Sequence, residues 1–304
     1  MLKDSVRTRA YMKAITMNAH LFQGKTVLDV GCGTGILCMF AAQAGAAKVI
    51  GVDMASIIDQ AREIVEANGF SDRITLIKGK IEEITLPVEK VDIIISEWMG
   101  YFLIYESMLD TVLFARDKWL VPGGLIFPDF ASLKITGIED AEYRADKIDF
   151  WDRVYGFNMS CIKSLALLEP LVDTCDPKLV ISNSCTLLDI DIYKVKKADL
   201  DFHSHFELNF KRNETCHALV AYFDIEFRCC HTMVKFSTGP LADYTHWKQT
   251  VFYLNDPINV SNNAKLKGEM KASRNARNPR DIDIAIDYQF PMGTRMKSQE
   301  YRLR

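Results

Sequence analysis

The segment Val27-Leu28-Asp29-Val30-Gly31-Cys32-Gly33-Thr34-Gly35 constrains this chain more than any other. A short strand-like run meets three glycines at alternate positions, and a helical stretch, Ile36 to Ala44, follows at once. A strand that feeds a helix through so tight a turn belongs to a parallel sheet covered by helices. The turn then lies at the carboxyl edge of the sheet, where open α/β sheets bind ligands and where glycine lets the backbone approach them closely.

The alternation continues over the first 130 residues or so. Lys48–Val52, Arg73–Ile77 and Val91–Ile95 read as further strands, Ser56–Asn68 and Glu106–Leu120 as helices, with a stop at Pro122-Gly123-Gly124. After Pro128-Asp129 the pattern changes. Ser132–Ile138, Asp201–Phe210, Ala218–Phe227, Gln249–Leu254, Leu266–Ala272 and Ile282–Phe290 are β-rich or alternate with period two. The expected fold class is α/β plus β, with an α/β domain over residues 1–129 and a mainly antiparallel barrel or sandwich over 130–304. Between strands, residues 141–170 carry helical spacing and the aromatic group Phe150, Trp151, Tyr155 and Phe157. Spacing allows either a core helix or a projecting arm that contacts another subunit.

Asp53 ends the second strand, eighteen residues past Gly35, where a carboxylate can accept hydrogen bonds from ribose hydroxyls. A dinucleotide fingerprint would need its third glycine at position 36, which is Ile36, and Asp29 would face a diphosphate. A nucleoside with a cationic, amino-bearing end suits the site better, which favours S-adenosylmethionine over NAD. The competing reading is a tight turn with only a structural role.

The strand Val91–Ile95 runs into Ser96-Glu97-Trp98-Met99-Gly100-Tyr101-Phe102-Leu103-Ile104-Tyr105-Glu106-Ser107-Met108. Two carboxylates bracketing so apolar a loop are costly to desolvate unless a cation lies between them. Arginine fits, because its guanidinium keeps its proton up to a pKa of about 13.8 and its planar fork pairs with carboxylates. Two acids could draw positive charge to the far nitrogens and leave electron density on the nitrogen facing a sulfonium methyl. The alternative is a pair of solvated glutamates flanking a buried loop.

The formal charge of −3, from 37 basic and 40 acidic residues, lacks the basic excess of a nucleic-acid binder. No apolar run is long enough to suggest a membrane span. Eight cysteines without a C-x2-C pair or an export signal read as free thiols in a reducing compartment. Cys229-Cys230-His231 and His203-Ser204-His205 are the only hints of a metal site, and no metal is expected from them.

Together, the Val27–Gly35 motif, Val91–Ser96, the double-glutamate loop, Leu120-Val-Pro-Gly-Gly-Leu-Ile-Phe-Pro and Tyr244-Thr245-His246-Trp247 resemble the type I protein arginine methyltransferases. The likeness spans essentially the whole chain and points most closely to the predominant, broad-specificity branch of the family. It implies a Rossmann-like S-adenosylmethionine-binding domain, a β-barrel and an inserted dimerisation arm over residues 141–170. It implies that Glu97 and Glu106 clamp the substrate guanidinium, and that His246 lies beside the pocket, oriented by Asp4. Arg7 would pair with the cofactor carboxylate, Asp29, Gly31 and Gly33 would hold its methionine part, Asp53 its ribose and Glu82 its adenine. Met1 and Met108 would shape the room for a second methyl, giving asymmetric dimethylarginine, with Met108 against the cofactor and Met1 and Trp247 on the substrate side. Histone tails and Arg-Gly-rich proteins are the implied substrates, and a homodimer or higher oligomer in nucleus and cytoplasm the implied setting. The family's N-terminal helix, with its tyrosine-rich motif, has no counterpart before Met1, which reads as trimming. A non-catalytic scaffolding subunit of the same fold is the alternative function.

Overall fold

The structure, a computed structural model, describes residues 1–291 and 293–304. Strands β1 (Thr26–Val30), β2 (Lys48–Asp53), β3 (Ile74–Lys78), β4 (Val91–Ser96) and β5 (Leu120–Phe127) form one sheet in the order β3-β2-β1-β4-β5, every pair parallel. β1 and β4 sit in the middle and are buried almost throughout, as expected of apolar runs covered on both faces. Helices α1 (Ser5–Thr16), α2 (Ile36–Gln43), α3 (Ile57–Ala67) and α4 (Met108–Trp119) accompany this sheet. The chain builds outward from β1 on one side and from β4 on the other, so the switch point falls between these two strands. Val30 pairs with Ser96 across that boundary, and Gly31 and Glu97 therefore leave neighbouring strands at the same level.

The helix expected from Glu106 begins two residues later, at Met108. Glu106 (φ 73°) and Ser107 (φ 61°) are both left-handed, which no helix can incorporate. The loop before them folds back at Gly100, where a Cβ would lie 2.0 Å from the Tyr105 carbonyl oxygen, so only glycine fits.

Strand β5 ends at Phe127 and β6 (Phe130–Ile138) opens the second half. One sheet there runs β7 (Leu171–Asp173), β12 (Gln249–Val260), β10 (Glu214–Phe227), β6 and β8 (Cys185–Asp191), with β11 (Val234–Ser237) also on β10. A second runs β15 (Lys297–Leu303), β14 (Ile282–Gln289), β13 (Lys265–Arg274) and β9 (Phe202–Asn209). All these pairings are antiparallel. Phe252 of β12 meets the Tyr301 ring of β15 at 5.0 Å, and Gln299 bonds both Tyr253 O and Asn255 N, so side chains tie the sheets together where the ladder is open. The sequence does not announce β5, which runs through the expected stop at Pro122-Gly123-Gly124, nor β7, β8, β11 or β15. β15 buries only alternate residues, Gln299, Tyr301 and Leu303, and its apolar signal is correspondingly thin.

The 141–170 stretch is helical in pieces: α5 (Ala141–Tyr143), short turns over Arg144–Asp152, and α6 (Ser160–Leu168). Its base is held by the buried Arg144, which bonds the Leu254 and Asn255 carbonyls and pairs with Asp149. Tyr155 (96% exposed), Phe157 (69%) and Leu165 (64%) face outward. The core-helix alternative fails for these side chains.

Helix α1 touches both halves. The Tyr11 hydroxyl donates to Ser96 O at 2.9 Å, while its ring packs edge-on to Phe227 at 5.1 Å. Just beyond the helix, Asn18 exchanges hydrogen bonds with the Thr232 backbone. All eight cysteines are free thiols.

Candidate active site

Gly31 has φ 75°, a left-handed backbone that favours glycine, and a Cβ there would lie 2.6 Å from the Met108 Cε atom, so any side chain would also have to displace the tip of the first residue of α4. Beside them is a cavity of about 370 Å3, within the usual range for small-molecule sites, lined by Gly31, Asp53, Gly79, Glu82, Met108 and Thr111 among others. Four residues singled out from sequence thus share one pocket wall. Both Asp53 oxygens are fixed by backbone N–H groups, of Gly33 and Ala55, at 2.8 Å each. Glu82 is fixed by the Thr111 hydroxyl at 3.0 Å. Gly33 therefore serves to aim Asp53.

Asp29 is fully buried. Its Oδ2 accepts from the Cys38 thiol at 3.1 Å, and its Oδ1 has no partner. Burial pushes its pKa up to about 7, against the opposing pull of the Cys38 contact and the Arg7 charge. Glu97 is similar. With a side chain only 4% exposed, it accepts from Arg7 Nη2 at 3.2 Å, and burial raises its pKa to about 7 even though Arg7 favours the ionised form. Arg7 is buried between Glu97 and the Tyr11 ring, and its Nε has no partner. A short helix with mixed patterning gives no hint of this.

Asp4 caps α1 by accepting from Arg7 N at 2.9 Å. Its other oxygen accepts from the His246 backbone N–H at 2.8 Å and lies 2.7 Å from His246 Nδ1. Burial disfavours the Asp4 charge, but these hydrogen bonds outweigh it and hold the carboxyl below its usual range. Burial likewise lowers the His246 pKa, against the pull of Asp4, so the ring is neutral near pH 7. The ionised Asp4 then keeps the proton on Nδ1 and leaves the Nε2 lone pair free.

Three expectations need correction. Trp247 does not line a substrate surface: it is buried, stacked on Phe236, and donates Nε1–H to Met99 O at 2.8 Å, holding the loop after β4 in place. Met1 is 65% exposed rather than packed over the site. Glu106 does not share a cation with Glu97 in this conformation, because its carboxylate is 51% exposed and paired with Arg280 at 2.8 Å. Its left-handed backbone sets it in that direction.

Tyr11, Cys38, Thr111, Trp98 and Arg280 were not anticipated. The first three hold named site residues by direct hydrogen bonds or packing, and the buried Trp98 indole N–H is without a partner. Among the described residues, His203, His205 and Glu269 have metal-like spacing, and they form an outward-facing ion-pair cluster that also includes Lys271.

The comparisons agree with this geometry. Residues 27–124 match a methyltransferase domain, and residues 129–293 match the arginine methyltransferase oligomerization subdomain. The chain is 57% identical, over its full length and 89% of the relative's, to protein arginine N-methyltransferase 1 of Chlamydomonas reinhardtii. It is 59% identical to the Schizosaccharomyces pombe protein of that name, over 95% of this chain and 85% of that one. The structure superimposes on the Trypanosoma brucei PRMT1 enzyme-prozyme heterotetrameric complex with AdoHcy with a TM-score of 0.97 at 49% identity, covering 100% of this chain and 96% of that one. Arabidopsis thaliana protein arginine methyltransferase 10 follows at 0.87 and 31%, covering 100% and 95%. With a nucleoside-sized cavity at the carboxyl ends of β1, β2 and β3 and kinship over its whole length, this chain belongs to the protein arginine N-methyltransferase family.

Proposed function

We propose that this chain is a type I enzyme of that family, transferring methyl groups from S-adenosylmethionine to arginine in proteins and giving mono- and asymmetric dimethylarginine. Glu97 carries the reading. A carboxylate buried beside the glycine turn, half-compensated by Arg7 and held near pKa 7, is a site for a second guanidinium.

The residues present fit the methyl donor. Asp29 Oδ1 and Arg7 Nε are buried polar atoms without partners and of opposite charge, as the ammonium and carboxylate of a methionine end require. Asp53 and Glu82 line the cavity beside the glycine turn, Asp53 with lone pairs left for ribose and Glu82 able to accept from an adenine amino group. When bound, S-adenosylmethionine supplies a methyl carbon activated by its sulfonium. Glu97 keeps Oε1 for the substrate arginine while Arg7 holds Oε2, which orients the guanidinium and favours charge on its far nitrogens. Glu106 completes the clamp by turning inward. His246 Nε2 accepts the proton that the methylated guanidinium releases, and Asp4 stabilises the resulting imidazolium.

The match to an oligomerization subdomain and the outward aromatic residues of the 141–170 stretch support a homodimer or higher oligomer built through that arm. Free thiols suit a nuclear and cytoplasmic setting. Histone tails and Arg-Gly-rich proteins, flexible and cationic, suit a site of buried acids. Incubation with an Arg-Gly-rich peptide and methyl-labelled cofactor is expected to give asymmetric dimethylarginine. Product limited to symmetric dimethylarginine or to methyl-lysine would overturn the assignment.

A further inference from the structure

The segment from Arg274 to Asp281, joining β13 to β14, is fastened at both ends, to the double-glutamate loop and to the first turn of α4. Glu106 N–H donates to Arg280 O at 3.1 Å, and the Ser107 hydroxyl donates to Pro279 O at 2.7 Å. One helical turn on, Arg274 pairs with both oxygens of Asp110, at 2.6 and 2.7 Å, in a largely sheltered position. The segment is also stiff in itself. Asn275 Oδ1 accepts from the backbone N–H groups of Arg277 and Asn278, and Asn275 Nδ2 donates to Asp283. A barrel connection with no recognisable motif therefore presents Arg280 to Glu106 from a defined place, at 2.8 Å.

We propose that Arg280 is a positioning residue for substrate capture: its guanidinium holds the Glu106 carboxylate outward, and the substrate arginine takes over that carboxylate by exchanging one guanidinium for another. This rests on the reading of Glu106 as half of the substrate clamp. The relative strength of the two pairs sets the direction of exchange. Arg280 and Glu106 meet with side chains 64% and 51% exposed, where solvent and salt weaken an ion pair. The substrate guanidinium would meet Glu106 beside the buried Glu97, where water is scarce and a charge-assisted bond is stronger. Arg280 thus gives Glu106 a partner until substrate arrives, and it competes with substrate for that carboxylate. The backbone contacts from Pro279 and Arg280 survive the exchange, so the loop keeps its tether when the side chains let go.

Initial rates with an Arg-Gly peptide and saturating S-adenosylmethionine, for the full chain, Arg280→Gln and Arg280→Lys, test the exchange. An exposed pair is worth at most about fivefold in an equilibrium. Arg280→Gln should therefore lower the peptide KM by about two- to fivefold at low salt with kcat within about twofold. The difference should vanish near 0.3 M salt, where the Debye length is only about 6 Å, and Arg280→Lys should keep the parent KM. An unchanged or raised KM at low salt, a change indifferent to salt, or identical behaviour of the glutamine and lysine variants would overturn the proposal. Glu106→Gln, run alongside, separates the two readings: if it abolishes turnover the clamp stands whatever Arg280 does, and if it retains turnover the clamp itself is wrong.

Discussion

Asp4 and His246 lie 242 positions apart, yet one carboxylate oxygen of Asp4 serves both the backbone N–H and the ring nitrogen of His246 while the other caps α1. The start of the chain and the barrel's Thr-His-Trp turn are therefore fixed by a single side chain. Asp4→Ala should destabilise the protein by about 2 kcal/mol, the sum of a lost cap and orphaned N–H groups. Asp4→Asn keeps the shape but offers one acceptor oxygen where Asp4 offers two, so its NH2 faces an N–H donor; a loss of about 1–3 kcal/mol is expected, with the protein still folded. Its kcat should nevertheless fall roughly tenfold or more, because a neutral amide no longer stabilises imidazolium. Thermal melts and steady-state rates on the same samples check both.

Glu97 carries a pH signature of definite sign. Its pKa is raised from 4.5 to about 7, so across that window the unfolded chain has lost a proton that the folded chain keeps, and stability falls as pH rises. Glu97→Gln removes this titration. The parent should lose about 2–3 kcal/mol relative to the variant between pH 5 and pH 8, as read by urea denaturation. Asp29 contributes in the same direction.

The same ionisation is expected in the kinetics. The acid limb of kcat/KM should lie near pH 7, since the free enzyme must ionise Glu97 to receive a cation. In kcat the limb should move to lower pH, because bound positive charge favours the carboxylate. A flat kcat/KM between pH 6 and pH 8 would contradict this.

Arg7→Met should leave Glu97 as an uncompensated buried acid. Loss of one partner from a buried pair costs about 3–5 kcal/mol when the other stays charged. The loss should be larger at pH 8 than at pH 5, where Glu97 is protonated, and cofactor affinity measured by calorimetry should drop in parallel.

Gly31→Ala places a Cβ at φ 75° against the end of Met108. The left-handed backbone costs about 1–2 kcal/mol, and the methyl group projects into the cavity wall. Weaker cofactor binding is expected with little change in the barrel, and calorimetry with S-adenosylmethionine measures it.

Much of the first half was legible because its information is local. A glycine turn, a strand-ending acid and a loop bracketed by acids can be read from short segments, and Gly31 and Asp53 do share one cavity, with Glu82 and Met108, which the family resemblance alone implied. What escaped depends on distant contacts. Arg7 is buried by Glu97 and Tyr11 on packed elements, which its own helix does not reveal. Trp247 belongs to a recognisable triplet, but a triplet does not say whether an indole faces a ligand or the Met99 carbonyl. The setting of Glu106 depends on left-handed backbone and on Arg280, 174 residues further on in a connection without a motif.

Helix α1 donates a phenol to the end of β4, lays the same ring against β10 and caps itself with the acid that grips His246. It acts as a rivet through both lobes. A jaw-like swing of one lobe against the other would have to shear that rivet, so opening and closing of the cleft falls to side chains at its margins, such as the half-exposed Glu106. Solution scattering should accordingly change little for a single protomer when ligands bind, while amide exchange along those margins should slow.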